Sequence, residues 1–155
     1  MKKNLLTGLL LAVLALAFTA CSAEPKGTEP TIYEAFFASE IVDSSWNETK
    51  AKTIKELNLE RKTDYLVLWL SDPDLDITEV QISSDVNFDY YYYWDELKYS
   101  TDDFWTTLSL GWNDLDEISK ERYSMDNKTV YVRVLDSKNN ASKIYSINGM
   151  TIKKN

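Results

Sequence analysis

Histidine is absent from this chain of 155 residues, and cysteine occurs only once. Without histidine the chain has no Ser-His-Asp triad, no imidazole base and no zinc site with a histidine ligand. Carboxylates are plentiful, and a pair of them could hydrolyse a glycoside, but they fall in predicted turns and on predicted polar faces rather than in an evident cleft. We therefore expect a non-catalytic protein, and a small carboxylate-based hydrolase is the enzymatic alternative.

Basic side chains are also in short supply. The chain has 17 Lys and Arg against 25 Asp and Glu, a net charge of −8. Removal of residues 1–20 would take away Lys2 and Lys3 but no acid, which leaves 15 − 25 = −10. A chain this acidic is repelled by nucleic acid and by anionic membrane surfaces, so we expect no nucleic-acid partner.

Only one long apolar run is present, from Leu5 to Phe18, and it follows the positive start Met1-Lys2-Lys3. As a helix this run would be about 21 Å long, which is short of the ~30 Å hydrocarbon core of a bilayer. The pattern is typical of the hydrophobic region of a secretory signal, so residues 1–20 are predicted to be a signal peptide.

The end of that signal, Phe18-Thr19-Ala20-Cys21, resembles the lipobox of bacterial lipoproteins, in which leucine more often stands where Phe18 does. The resemblance implies cleavage before Cys21 and attachment of acyl chains such as palmitate to that cysteine. Because each buried CH₂ contributes about 0.8 kcal/mol, two or three chains would make a permanent membrane anchor. It also implies a location in the bacterial cell envelope, and Ser22 in place of an aspartate favours the outer membrane. No other cofactor is expected.

Residues 21–30 follow as the modified cysteine and a linker rich in proline and small polar residues. Residues 31–155 then form the predicted folded domain, and the roughly 135 residues that remain after cleavage suit a single domain.

Short apolar segments separated by turn signals predict about seven strands in this domain. The candidate segments are 31–42, 65–70, 77–83, 86–94, 104–112, 129–135, 143–147 and 150–153, of which the last two are short. Asn148-Gly149 predicts a type I′ hairpin between the last two. For residues 43–60 the pattern is compatible with either a weak strand over 53–59 or a short helix over 48–57. Asp114 is predicted to cap one or two helical turns over 114–123.

This pattern favours an all-β, antiparallel sandwich. Residues 130–142 resemble the penultimate strand and the following turn of bacterial immunoglobulin-like domains, with Asn139 at the usual glycine of the turn. Residues 68–82 also resemble a strand-turn-strand unit of those domains. The resemblance implies an immunoglobulin-like sandwich of the cysteine-free bacterial and fibronectin-like branch. It also implies adhesion, spacing or ligand binding, and it supplies no catalytic residues.

The aromatic run Tyr90, Tyr91, Tyr92, Tyr93 and Trp94 is the first candidate site. In a strand its members alternate between two faces, so at least two rings should remain at the surface unless a loop covers them. Exposed rings bind sugar faces or anchor protein partners, whereas buried rings would only pack. The sequence thus predicts a binding domain for an unknown protein or glycan, and a carbohydrate-binding module is the specific alternative.

Three alternating carboxylates, Asp72, Asp74 and Asp76, form the second candidate site. They resemble the start of a calcium loop, but Ile77 and Ser83 stand where an EF-hand needs glycine and glutamate. A calcium site at a loop end, with help from Asp85, is therefore the weaker prediction, and a solvated acidic turn is the stronger one.

Overall fold

The structure is a computed structural model that describes residues 27–44, 49–58, 64–95, 97–110 and 125–153. The predicted signal peptide, Cys21, most of the linker and the predicted helical turns over 114–123 lie outside the described residues.

The described residues form an all-β fold of nine strands and contain no helix. The strands are β1 (Thr31–Ser44), β2 (Thr49–Ile54), β3 (Glu56–Asn58), β4 (Tyr65–Ser71), β5 (Ile77–Ser83), β6 (Tyr92–Trp94), β7 (Asp103–Ser109), β8 (Met125–Asp136) and β9 (Tyr145–Lys153). One sheet has the order β2-β1-β4-β7 and the other β3-β9-β8-β5-β6, and one of the two is curled into a half-barrel. The all-β prediction is confirmed, with nine strands instead of about seven.

The core lies between the two sheets and is built from alternating residues of each. Val130, Val132 and Val134 of β8 alternate along the strand, and all three are fully buried. They face Leu66, Leu68 and other apolar side chains of the opposite sheet within one continuous cluster. Since a fully buried Val or Leu contributes about 1.5–3 kcal/mol, this cluster holds the sheets together without a disulfide.

Three strands contain a pair of inward-facing apolar residues that are three positions apart instead of two. The pairs are Ile32 and Ala35, Ile77 and Val80, and Ile147 and Met150. A register shift falls within each pair, so one strand carries an extra residue there. Because this extra residue reverses the alternation of faces, each β-bulge keeps both apolar residues on the core side.

The bulge in β9 corrects the prediction of a terminal hairpin. Asn148 and Gly149 do not reverse the chain but lie within the continuous strand β9. Gly149 has a positive φ of 69°, which accommodates the extra residue of the bulge. Residues 151–153 then pair in parallel with β3, so the strand continues along the sheet and the fold is not wholly antiparallel.

Residues 49–58 form strands, and the helical alternative for 48–57 is wrong. The helix would have placed Ile54 and Leu57 on one face. Instead β2 pairs with β1 in the first sheet and β3 pairs with β9 in the second. Ile54 of β2 packs against the core from the first sheet, and Leu57 of β3 is fully buried in the second. The chain passes from one sheet to the other at Lys55, and both apolar side chains therefore reach the core without a helix.

The turn after β8 forms as the sequence predicted. Asn139 has a positive φ of 61°, which an asparagine tolerates better than most residues other than glycine. The fully buried Asp136 accepts hydrogen bonds from the backbone N–H groups of Lys138 (2.8 Å) and Asn140 (2.7 Å) and from the Asn140 side chain (2.6 Å). Burial acts to raise the pKa of Asp136, but these hydrogen bonds outweigh it and lower the pKa below its ordinary value.

Candidate binding surface

The loop between β5 and β6 determines which tyrosines reach the surface. The predicted strand over 86–94 is a strand only at Tyr92–Trp94, because residues 84–91 form a loop organised by Asp85. The two carboxylate oxygens of Asp85 accept hydrogen bonds from the backbone N–H groups of Asn87 (3.1 Å) and Asp89 (3.2 Å). Phe88 has a positive φ of 56° and is almost fully buried, although it is not part of the core cluster between the sheets.

The aromatic run therefore divides between the core and the surface. Tyr92 and Trp94 pack against the core, with their rings in an edge-to-face contact at 4.9 Å. Tyr90, Tyr91 and Tyr93 are 44%, 38% and 49% exposed. The structure thus brings three of the five predicted residues to the surface, and we call these three tyrosines the tyrosine patch.

The rings of the tyrosine patch stand on supported backbone. The rings of Tyr91 and Tyr93 lie 6.2 Å apart. The backbone carbonyl of Tyr90 accepts a hydrogen bond from the Ser83 hydroxyl. On the core side of the same strand, the indole N–H of Trp94 donates to the Ser109 carbonyl of β7 at 3.3 Å. The patch is therefore held both by its loop and by the neighbouring sheet.

A polar row continues from the tyrosine patch across the outer face of the sheet. Tyr93 of β6 pairs with Gln81 of β5, which pairs with Arg133 of β8. Arg133 Nε donates to the Gln81 side-chain carbonyl at 2.5 Å, and the Gln81 amide donates to the Glu79 carboxylate. The Arg133 guanidinium also lies over the Phe88 ring, 4.2 Å from its centroid. We call Glu79, Gln81 and Arg133 the polar row.

The outer face of β5 is partly covered rather than open to solvent. Gln81 is only 3% exposed and Ser83 is fully buried, although both lie on the face opposite the core. The loop over 84–91 folds back across that face, where Ser83 Oγ also accepts a hydrogen bond from the Asp85 N–H at 2.8 Å. Strand alternation alone could not indicate a loop covering the outer face.

A second aromatic cluster lies on the outer face of the other sheet and was missed by sequence reasoning. The Trp69 ring of β4 has a neighbour on each flanking strand, with centroids 4.9 Å from Tyr33 of β1 and 5.6 Å from Trp105 of β7. The Trp105 ring also makes an edge contact with Phe36, two strands away, so the two rings meet above the fully buried Val67 of β4. These rings pack on one another, and their proximity depends on strand register.

The three aspartates of the β4–β5 turn point to different partners. Asp72 is fully buried, and its Oδ2 accepts hydrogen bonds from the backbone N–H groups of Asp76 (2.6 Å) and Ile77 (2.9 Å) and from the Tyr99 hydroxyl. Asp74 accepts from the Thr28 N–H and Asp76 from the Ser137 hydroxyl. Burial raises the pKa of Tyr99 well above its ordinary value, and the hydrogen bond to Asp72 raises it further.

These contacts bear on both sequence interpretations of the acidic turn. Asp72 is not solvated, because its carboxylate is buried and accepts hydrogen bonds from backbone N–H groups of the turn. Within the described ranges, no group of three or more acidic, cysteine or histidine side chains is arranged to hold a metal ion. Asp72 therefore acts as a structural support of the turn, in which its carboxylate replaces water as the partner of two backbone N–H groups.

Comparison with family models, curated proteins and solved structures found no match for this chain. Its function must therefore be argued from its own residues. No helix long and apolar enough to span a membrane occurs in the part of the chain that the structure describes, and Cys21 lies outside that part. The tyrosine patch and the polar row together place aromatic rings, hydrogen-bond donors and carboxylate acceptors on one face. Such groups can stack on a ligand or form hydrogen bonds with it.

Proposed function

We propose that this chain is an exported bacterial lipoprotein that presents a non-catalytic, immunoglobulin-like β-sandwich for binding a partner in the cell envelope. The tyrosine patch carries the proposal. Three neighbouring tyrosines, each more than a third exposed, are a costly arrangement for a domain that needs only to fold, and tyrosine is enriched at binding surfaces. The partner is a protein or a glycan.

The strand order supports the immunoglobulin-like part of this proposal. In such domains one sheet contains strands A, B and E and the other G, F and C, with C′ added beside C in some members. Here β1, β4 and β7 are neighbours in one sheet, and β9, β8, β5 and β6 follow one another in the second. With β1 as A and β9 as G, both orders agree, and β2 and β3 are extra strands between A and B.

The membrane anchor rests on the lipobox-like residues before Cys21, and it has its own test. Intact mass and detergent partitioning of the protein from its native membrane should reveal a chain that begins at Cys21 and carries a lipid-sized mass increment. A Cys21→Ala variant should lose both the increment and the partitioning. A soluble native chain without lipid would refute the anchor and leave the binding domain to be judged separately.

The binding role is tested with the full chain and envelope fractions of the source organism. The native chain should bind, and a double variant Tyr91→Ala/Tyr93→Ala should lose about tenfold or more in affinity, because central aromatic contacts dominate such interfaces. Tyr33→Ala, which removes an equally exposed tyrosine from the other sheet, is the matched control and should bind normally. Equal binding by the double variant and the native chain would refute the proposal.

The same assay separates the two kinds of partner. Treatment of the envelope fractions with protease destroys protein ligands, whereas periodate cleaves the vicinal diols of sugars. Loss of binding after only one treatment identifies the class, and circular dichroism with thermal melts should show that every variant is folded.

A further inference from the structure

The polar row next to the tyrosine patch indicates what kind of ligand this surface accepts. Tyr93, Gln81 and Arg133 lie side by side on three adjacent strands. Since neighbouring strands are about 4.8 Å apart, the row is about 10 Å long. It is bordered on one side by the 84–91 loop, whose Phe88 supports Arg133. Gln81 is buried in the middle of the row, so the exposed strip consists of the Tyr93 ring at one end and the partly exposed side chains of Glu79 and Arg133.

The guanidinium of Arg133 is fixed by two contacts before any ligand arrives. Its Nε is bound to Gln81, and one face of its plane lies over Phe88. The hydrogen bond to Gln81 uses Nε, so the terminal nitrogens Nη1 and Nη2 are the donors that can face a ligand. A pre-oriented planar donor loses little conformational entropy when it binds a ligand.

The charges of the row select against several ligand classes. Arg133 and Glu79 carry opposite charges, and both are linked to Gln81. An anionic ligand would be repelled by Glu79 and by the net charge of −8, and a cationic ligand by Arg133. An apolar peptide would bury both charged groups without new partners, which is unfavourable. An uncharged ligand that is rich in hydroxyl groups and has one apolar face meets none of these penalties.

We propose that the strip formed by Tyr91, Tyr93 and the polar row binds a neutral saccharide. This inference rests on the binding role proposed above and specifies its ligand. The C–H face of a sugar ring stacks on the tyrosine rings, where aromatic surface is already exposed. Its hydroxyl groups accept hydrogen bonds from the terminal nitrogens of Arg133 and donate to the carboxylate of Glu79, as groups in a charge-assisted hydrogen bond do.

The test uses the full chain with soluble, neutral oligosaccharides of glucose, mannose, galactose and N-acetylglucosamine as probes, by isothermal titration calorimetry. At least one probe should bind saturably at concentrations up to about 10 mM, the range of weak single-site binding. Because the ligand is uncharged, raising the salt concentration should change Kd by less than about twofold. A preference for uronic or sialic acid oligosaccharides, with strong salt dependence, would overturn the proposal of a neutral ligand.

Variants then assign the residues. Arg133→Lys keeps the charge but loses the planar donor, and it should weaken binding by about tenfold or more, the effect of losing a charge-assisted hydrogen bond. Tyr93→Ala should do the same, while Tyr93→Phe keeps the ring and should bind within about threefold of the native chain. Tyr33→Ala should bind normally. Normal binding by the Arg133→Lys or Tyr93→Ala variant would overturn the assignment of the strip.

The two proposals can fail separately. If no probe binds, but envelope fractions still bind through Tyr91 and Tyr93 in a protease-sensitive manner, the saccharide inference is wrong and the binding role stands. If envelope binding does not depend on these tyrosines, the proposed function itself is wrong. Melting temperatures of all variants distinguish a lost contact from a lost fold.

Discussion

Replacement of Asp72 by alanine should destabilise the domain more than any other change of an aspartate to alanine in the β4–β5 turn. The side chain is fully buried, and a single carboxylate oxygen accepts hydrogen bonds from two backbone N–H groups and from the Tyr99 hydroxyl. In Asp72→Ala the N–H of Asp76 loses this partner inside the protein. The N–H of Ile77 keeps only the Tyr99 oxygen.

The expected cost follows from these contacts. Hydrogen bonds to a charged group contribute about 1.5–3 kcal/mol each, and a buried donor left without a partner costs about 1–3 kcal/mol. Part of the loss is offset, because alanine also removes a buried charge whose other oxygen, Oδ1, has no partner among the described residues. We expect a loss of about 3 kcal/mol, a large share of the roughly 5–15 kcal/mol that stabilises a typical domain.

Urea unfolding followed by tryptophan fluorescence measures this loss. The midpoint should fall while the slope of the unfolding free energy against urea concentration stays constant. Tyr99→Phe should cost about 1–2 kcal/mol, and the double variant should cost less than the sum, since the two side chains share a hydrogen bond. Asp102→Ala removes an exposed carboxylate nearby and should change stability by less than about 0.5 kcal/mol. Equal effects of Asp72→Ala and Asp102→Ala would refute the reasoning.

Three further predictions concern the turns and the bulge. The pKa of Asp136 is lowered in the folded protein, so its contribution to stability is present above the unfolded value of about 3.9 and is lost as the pH falls through the lower folded pKa. The stability gap between the native chain and Asp136→Asn should therefore narrow below about pH 4 in urea melts, and a gap constant down to pH 2 would contradict this. Gly149→Ala should cost about 1–2 kcal/mol, because φ is positive while the nearest atom to an added Cβ is 3.9 Å away; a stabilised variant would show that the bulge adopts another conformation. Calcium at millimolar concentration should leave the melting temperature unchanged, because the turn aspartates diverge; a saturable rise that is lost in Asp74→Asn would revive the calcium site.

Much of the fold could be predicted where one residue type and one local pattern decide the outcome. Val130, Val132 and Val134 alternate without interruption, which predicts that they share one face of a strand, and all three are fully buried. Asn139 adopts the left-handed conformation expected of the turn residue that replaces glycine. Both predictions depend on local chemistry alone, so distant parts of the chain could not change them.

Predictions failed where a distant partner decides. Asn148-Gly149 has the composition of a hairpin turn, but parallel pairing with β3 keeps the strand extended. The neighbours of Trp69 are set by the register of three strands, which no local pattern reveals. One signal was available: an apolar spacing of three within a strand, as between Ile77 and Val80, indicates a bulge.

For the candidate surface, alternation predicted that the tyrosine run would divide between two faces. It could not say which face was the core, because that depends on the pairing of β6 with β5. The polar row was not predicted, since Arg133 and Gln81 are 52 positions apart in the chain and meet only through strand pairing.

The position of β9 has a consequence for the order of folding. This strand is the last of the nine in the described part of the chain, yet it lies inside its sheet, between β3 and β8. The five-stranded sheet therefore cannot be completed until β9 has left the ribosome. The contacts of β3 with β9 also join residues that are almost a hundred positions apart in the chain. Such non-local pairing slows folding. If the chain is exported in an extended state, as proposed above, this sheet is completed only after β9 has crossed the membrane.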